Sequence, residues 1–371
     1  MTLHAKLSAS GAHRWMACPG SVAAEEGLPD RSSSFAEEGT RAHELMEQTL
    51  LEPELDCVDF MTDKEMVNAV QLYVDYVRGL KARMDGAFLF IERRVDFSEW
   101  VPNGFGTADT ILCGGNVMHI VDLKYGKGVQ VFAENNPQAL LYALGAYDEL
   151  NFIQEIETIR ISIVQPRLDH ISEWELSVTD LLKFGETARN AANEAMSSTK
   201  RVPGVKQCQF CKAKATCPAL YKLTSDTLMA DFDQLDEIIP VNKLTDDQMS
   251  AAIENRPLIE AWLSAVENLA KERIANGNGF GGYKLVEGRA NRKWADETIA
   301  AERLSKYTNE EIYTRKLVTP AQAEKILGKK DKAKIEDLIT KPRGTPTLAK
   351  ESDPRPEIKA TISDFEAIDE E

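Results

Sequence analysis

No stretch of this chain approaches the roughly eighteen consecutive apolar residues that a membrane-spanning helix needs, which excludes a helical membrane span. The opening segment, MTLHAKLSASGAHRWMACPGS, lacks the apolar core of a secretory signal, so the sequence predicts a cytoplasmic protein. Positive charge is in short supply: 44 Lys and Arg stand against 60 Asp and Glu, a formal net charge of -16. That balance excludes passive coating of nucleic acid, although local patches and bound cations can still meet a phosphate. Cysteine is scarce as well, with six in 371 residues. In a cytosolic chain of this size six thiols do not make a disulfide framework. No internal repeat is present, and the length admits two domains or one large domain with a tail.

The six cysteines are unevenly placed. Cys57 and Cys113 are isolated and read as ordinary buried thiols, whereas Cys208, Cys211 and Cys217 form a C-x2-C-x5-C loop. Cys18 stands far upstream, followed by Pro19 and Gly20. Around the cysteine loop, residues 200–217 carry five basic side chains and no acidic one.

Hydrophobic periodicity predicts a short helix and a loop over residues 1–35, then helices over 35–51 and 63–84. The period then changes. AFLFIERRVDF, GFGTADTILCG and NVMHIVDLKYG read as three strands separated by turn residues such as Gly114-Gly115. Asn136 and Pro137 open a helix through QALLYALGAYDEL, two more strands follow, and a helix over 179–196 leads to the cysteine loop. This order predicts an α/β core with a mixed central sheet flanked by helices. From Ser225 the texture becomes mainly helical, with a short strand near YKLVE, a basic GRANRK loop and an irregular acidic tail from Lys341. The expected division is residues 1–224 and 225–371.

Chemistry concentrates in the strands. Asp109 follows small residues in GFGTADT, and Asp122 comes thirteen residues later, with Lys124 two positions on. In a strand, Asp122 and Lys124 share a face. Two carboxylates on neighbouring strands can converge on Mg2+ or Mn2+, and a lysine beside them can hold a water or offset charge on a phosphate. The plain alternative is a salt bridge on a solvated face. Gln138 and Tyr142, i and i+4 on the next helix, share a face that returns over the same strand.

His43 on an early helix, Asp109, Asp122-Leu123-Lys124 and Gln138-x3-Tyr142 together resemble the RecB-type branch of the PD-(D/E)XK nuclease superfamily. Gly39-Thr40, one turn before the histidine in EEGTRAH, adds to the match. The resemblance covers about residues 8–220 and implies a restriction-endonuclease-like core. It implies that His43, Asp109 and Asp122 bind the metal together with the carbonyl of Leu123. Lys124 is then catalytic, and Gln138 and Tyr142 position DNA and the active site. The bracketing cysteines are similar to those of the AddB-type and CRISPR-adaptation members. There one cysteine before the core and three after it hold a [4Fe–4S] cluster, so Cys18, Cys208, Cys211 and Cys217 become its ligands. Zinc accepts the same four thiolates and is the alternative. GYKLVEGRANRKWAD and KPRGTPTLAKESDPRP carry a weaker resemblance to phage-encoded RecB-like proteins.

The function these residues lead one to expect is a Mg2+- or Mn2+-dependent deoxyribonuclease, exonuclease ahead of endonuclease, in phage DNA recombination or processing. Its setting would be the host cytoplasm. Its partners would be DNA and other recombination or replication proteins. The rival expectation is a non-catalytic DNA-binding or assembly subunit that retains the fold.

Overall fold

The computed structural model describes residues 5–29, 34–61, 63–84, 86–229, 246–279, 281–288 and 293–307, then 312, 320, 323, 327, 331–340, 346–350 and 354–358. Residues 31–33 of the RSSS turn, 289–292 of the basic loop and the acidic end from 359 lie outside the described residues. Two compact units are present, Met1–Val266 and Glu267–Ile368. Their division falls within a long helix, whereas the change of texture in the sequence comes at Ser225.

In the first unit five helices precede the sheet: α1 (Ala12–Trp15), α2 (Ser21–Glu25), α3 (Ser34–Leu51), α4 (Cys57–Phe60) and α5 (Lys64–Arg83). The region read as one short helix and a loop thus holds two short helices, each only a turn long and beyond the reach of periodicity. The sheet follows: β1 (Phe88–Asp96), β2 (Phe105–Gly114), β3 (Val117–Leu123), β4 (Thr158–Gln165) and β5 (His170–Ser177). Between β3 and β4 runs α6 (Pro137–Leu150), and after β5 come α7 (Val178–Ser197), α8 (Val205–Gln209), α9 (Pro218–Met229) and α10 (Asp246–Ala275).

The strands lie in the order β1-β2-β3-β4-β5, all neighbours antiparallel except the β3–β4 pair. Gly115, at φ 62°, makes the tight β2–β3 hairpin possible. A parallel pair needs a crossover, and α6 is that crossover. Its start is fixed by Asn136, whose side chain accepts from the N–H groups of Gln138 and Ala139 at 3.1 and 3.2 Å, with Pro137 in the first turn.

Each face of the sheet is covered. Ile111, Met118, Ile120, Ile161 and Ile163 join residues of α6 and α7 in one core, while Leu112, Val121, Leu123 and Val164 join α3 and α5 in the other. A central strand covered on both sides should be apolar along its length, and β3 is buried from Met118 to Leu123. The carboxylate of Asp122 is therefore an exception to its own strand. Lys124 lies one residue beyond β3, and its backbone N–H still donates to the Val164 carbonyl at 2.9 Å.

The second unit contains β6 (Tyr283–Glu287) paired with β9 (Pro346–Lys350), β7 (Lys293–Trp294) paired with β8 (Ile339–Thr340), and α11 (Glu297–Leu304), capped by Asp296. Leu304, Ala323, Leu327 and Ile335 form its small core. The stretch after Lys341 is thus not irregular throughout. Its β9 segment takes strand form because β6, about sixty residues earlier in the chain, supplies the hydrogen-bonding edge. Among the described residues no helix is long and apolar enough to cross a membrane.

Candidate metal and catalytic site

The strand registers set three carboxylates in one row. Ile91 faces Thr110 and Arg93 faces Ala108, which puts Glu92 opposite Asp109. Thr110 faces Val121, so the next step of that register puts Asp109 opposite Asp122. Regular pairing lapses along this row. Glu92 adopts a left-handed backbone, φ 45°, unusual for a residue inside a strand. The Leu123 N–H donates to Asp109 Oδ2 at 2.6 Å. Like charges on directly opposed positions repel, so the row needs positive charge among its members.

Part of that charge comes from α3. His43 Nδ1 lies 3.4 Å from Asp109 Oδ1 and 3.4 Å from Glu92 Oε1. Burial opposes protonation of the ring, but its hydrogen bonds to the Asp109 and Glu92 carboxylates outweigh it and raise its pKa to about 10. The ligand atoms of His43, Glu92 and Asp109 all lie within 4.8 Å of one another. Beside His43 and Glu92 a cleft of about 460 Å³ opens, lined also by Gly39, Thr40, Glu44 and Glu47. Gly39 leaves the cleft wall without a side chain one turn ahead of His43.

Lys124 serves the other end of the row. Its ammonium donates to Asp122 Oδ1 at 3.3 Å and to Gln138 Oε1 at 3.1 Å. It also approaches Asp122 Oδ2 to 3.0 Å, yet that oxygen, fully buried, receives no directed hydrogen bond. Oδ2 is thus charge-compensated and keeps its lone pairs. Burial pushes the Asp122 carboxyl up to about 6, with Lys124 holding it down against the added repulsion of Asp109. For Lys124 burial works against the charge, but Asp122 and Asp109 prevail and raise its pKa.

Gln138 and Tyr142 meet one turn apart on α6, the Gln138 amide donating to the Tyr142 hydroxyl at 3.2 Å. Because Gln138 gives its carbonyl oxygen to Lys124 and its NH2 to Tyr142, the phenol accepts there and can direct its own proton elsewhere. Burial, then the charge of Asp122, lifts the Tyr142 pKa to about 12, so it stays a donor at neutral pH. Tyr142 packs against Gly106, where a Cβ would come within 2.6 Å of its ring.

The structure therefore brings His43, Asp109, Asp122, Lys124, Gln138 and Tyr142 to one end of the central strands. Leu123 lines the α3–α5 core beside them. Glu92 was not legible as a member: ERR reads only as a charged stretch of β1, and only the register against β2 reveals its neighbour. The available signal was a carboxylate within a strand that precedes GFGTADT.

The four bracketing cysteines lie in one neighbourhood, although among the described residues no three of them bring their sulfurs within 4.8 Å of one another. The Val202 N–H donates to Cys18 Sγ at 3.2 Å and the Gly204 N–H to Cys208 Sγ at 3.4 Å. Burial raises the Cys208 thiol pKa, and Cys217 and Cys18 lie near enough to add to that rise. Burial likewise lifts Cys211 to about 11, Cys208 adding to it. The N-terminal segment is seated by Gly20, whose N–H meets the Lys200 carbonyl at 2.7 Å and whose missing Cβ would strike Thr199. Arg14 clasps Glu25 at 2.9 Å and the Phe210 carbonyl at 3.3 Å. Cys57 and Cys113 sit apart, one in each sheet-face core.

Two comparisons with known proteins bear on this chain. A family model described as "Protein of unknown function (DUF2800)" matches residues 4–356. A solved structure titled "Crystal structure of SSO0001" is similar at 14% sequence identity and a TM-score of 0.26, over 56% of this chain and 85% of that one.

Proposed function

The chain belongs to the DUF2800 family, and we propose that it is a divalent-metal-dependent deoxyribonuclease of the RecB-type PD-(D/E)XK kind. The observation that carries the reading is the linked series Asp122–Lys124–Gln138–Tyr142 beside His43 and Asp109. A solvated surface salt bridge would explain the first pair alone. It would not explain why its carboxylate is buried and its ammonium half-buried, nor why the lysine is held by a second, neutral partner.

His43, Asp109 and Asp122, with the carbonyl of Leu123, would hold Mg2+ or Mn2+. The donor set suits such an ion: an imidazole and two carboxylates, one of which, Asp122, has a buried oxygen with no directed hydrogen bond. The bound ion supplies Lewis acidity and a water of lowered pKa. Lys124, fixed between Asp122 and Gln138, directs an N–H toward that water or toward a non-bridging phosphate oxygen as charge develops there. Tyr142, accepting from Gln138, turns its O–H toward the phosphate. The products of hydrolysis are a phosphate monoester and a free hydroxyl on the two sides of the broken bond. Exonuclease action in phage DNA recombination or processing is the setting this reading favours.

Cys18, Cys208, Cys211 and Cys217 would hold a [4Fe–4S] cluster, a set of four thiolates with backbone N–H groups already directed at two of the sulfurs. Zinc fits the same donors. Its role there is to fasten the N-terminal segment to the chain beyond α7.

Anaerobically prepared protein is expected to degrade labelled single- or double-stranded DNA when Mn2+ is added and to stop when EDTA is added. DNA binding without any cleavage, across both substrates and both metals, would instead favour a non-catalytic DNA-binding or assembly subunit.

A further inference from the structure

We propose that Glu92 is a metal ligand, completing a His43–Glu92–Asp109 site selective for Mn2+ over Mg2+. The proposal rests on the metal-dependent reading above and extends it to a residue outside the D-x-K pattern. Three observations carry it. First, the imidazole nitrogen and one oxygen from each carboxylate lie within 4.8 Å of one another. Ligands about 2.1 Å from one ion are roughly 3–4 Å apart, so a small inward movement closes the set. Second, Glu92 stands opposite Asp109 in the antiparallel register, and both carboxylates reach the same His43 nitrogen at 3.4 Å, so the three donors already face one point. Third, the buried Asp122 Oδ2, next along the same row, receives no directed hydrogen bond.

The cleft gives the ion a route in, since His43 and Glu92 both line it. The ligand types decide which ion. Mg2+ favours an all-oxygen shell and gives up water reluctantly, whereas Mn2+ accepts an imidazole nitrogen alongside carboxylates. Asp122, tied to Lys124, stands outside the tight trio, so Glu92 joins His43 and Asp109 as a close donor while Asp122 meets the ion from the next position of the row.

Titration of the full chain with Mn2+, followed by the electron paramagnetic resonance of the free ion, tests this for the parent, Glu92→Gln and Glu47→Gln. Glu47 lines the same cleft outside the trio, so its variant removes the same charge without removing a proposed ligand. The expected result is one saturable site in the parent. Glu92→Gln should weaken it by about tenfold or more, while Glu47→Gln stays within about twofold. Competing Mg2+ should displace Mn2+ only at about tenfold or greater excess. Absence of saturable Mn2+ binding in the parent overturns the assignment. So do equal losses in the two glutamine variants, which would reveal diffuse cleft charge, and an unaltered affinity in Glu92→Gln. Circular dichroism checks folding; if Glu92→Gln does not fold, Glu92→Asn replaces it, because asparagine tolerates a left-handed backbone. Cleavage measured in parallel separates the two readings. A parent that binds Mn2+ through Glu92 but cuts no DNA sinks the nuclease and leaves the site. Intact binding and cleavage in Glu92→Gln do the reverse.

Discussion

At the scale of single residues, Lys124 separates a structural pair from a catalytic one. An exposed ion pair contributes about 0–1 kcal/mol, so its loss would barely register. A transition-state contact commonly contributes about 10²–10³ in rate, or roughly 3–4 kcal/mol of barrier. Lys124→Ala is accordingly expected to leave Mn2+ binding in place while DNA cleavage falls by that order. Parental cleavage by this variant at saturating Mn2+ would return the lysine to a structural role. A second residue offers a test independent of function. His119 is buried in β3, with its Nε2 2.7 Å from the Ser162 hydroxyl. Burial, aided by Arg160 and Arg83 and opposed by Glu173, depresses its pKa from 6.5 to about 4. The unfolded chain takes up this proton below pH 6.5 and the fold does not until about pH 4, so its contribution is full above 6.5 and lost as pH falls through that window. The loss is on the order of 3 kcal/mol. Urea unfolding at pH 7 and 4.5 should show a smaller drop for His119→Asn than for the parent; equal drops would show that another group dominates.

Among elements, the β3–α6–β4 unit positions the site, and much of it was legible. The D-x-K spacing announced a shared face, and Asn136-Pro137 announced the helix that brings Gln138 back to Lys124. Both signals are local, which is why a sequence can carry them. Glu92 was out of reach because its meaning depends on which β2 residue it faces. The β9 strand escaped for the same reason, its partner being a distant edge. Close packing between elements supplies another prediction. A Cβ on Gly106 would meet the Tyr142 ring at 2.6 Å, so Gly106→Ala must push that ring off the β2 surface. The overpacking is expected to cost about 1–3 kcal/mol. Activity should fall further than the lowered stability explains, since the ring carries the hydroxyl that Gln138 orients. Cleavage well below the unfolding range is the measurement, and unchanged rates there would detach Tyr142 from the chemistry.

Across the whole molecule, the spacing of the cysteines and their bracketing of the core mark them out in the sequence as a candidate set, while the metal such a set would hold is not written in four thiols. If they share one cluster, Cys208→Ala should lose iron and lower the melting temperature, because binding in such a site is linked to folding. Cys57→Ala should keep the iron. Equal iron in Cys208→Ala and the parent would dissolve the assignment. The division of the chain shows a different limit. Composition shifts at Ser225, but α10 carries the first unit's contacts on to Val266, and a helix gives no local sign of where one core yields to the next.

The seat of the N-terminal segment also has a consequence in time. Gly20 hydrogen-bonds Lys200, and Cys18 accepts from Val202, so these residues bind a surface synthesised some 180 residues after them. At about 5–20 residues per second of synthesis, that surface follows by roughly 10–40 s. Throughout that interval Trp15 and Leu7, both fully enclosed in the finished fold, have no completed core to enter. A ribosome stalled before residue 200 should therefore display a nascent chain in which residues 7–20 are open to protease, and one stalled well past residue 217 should not.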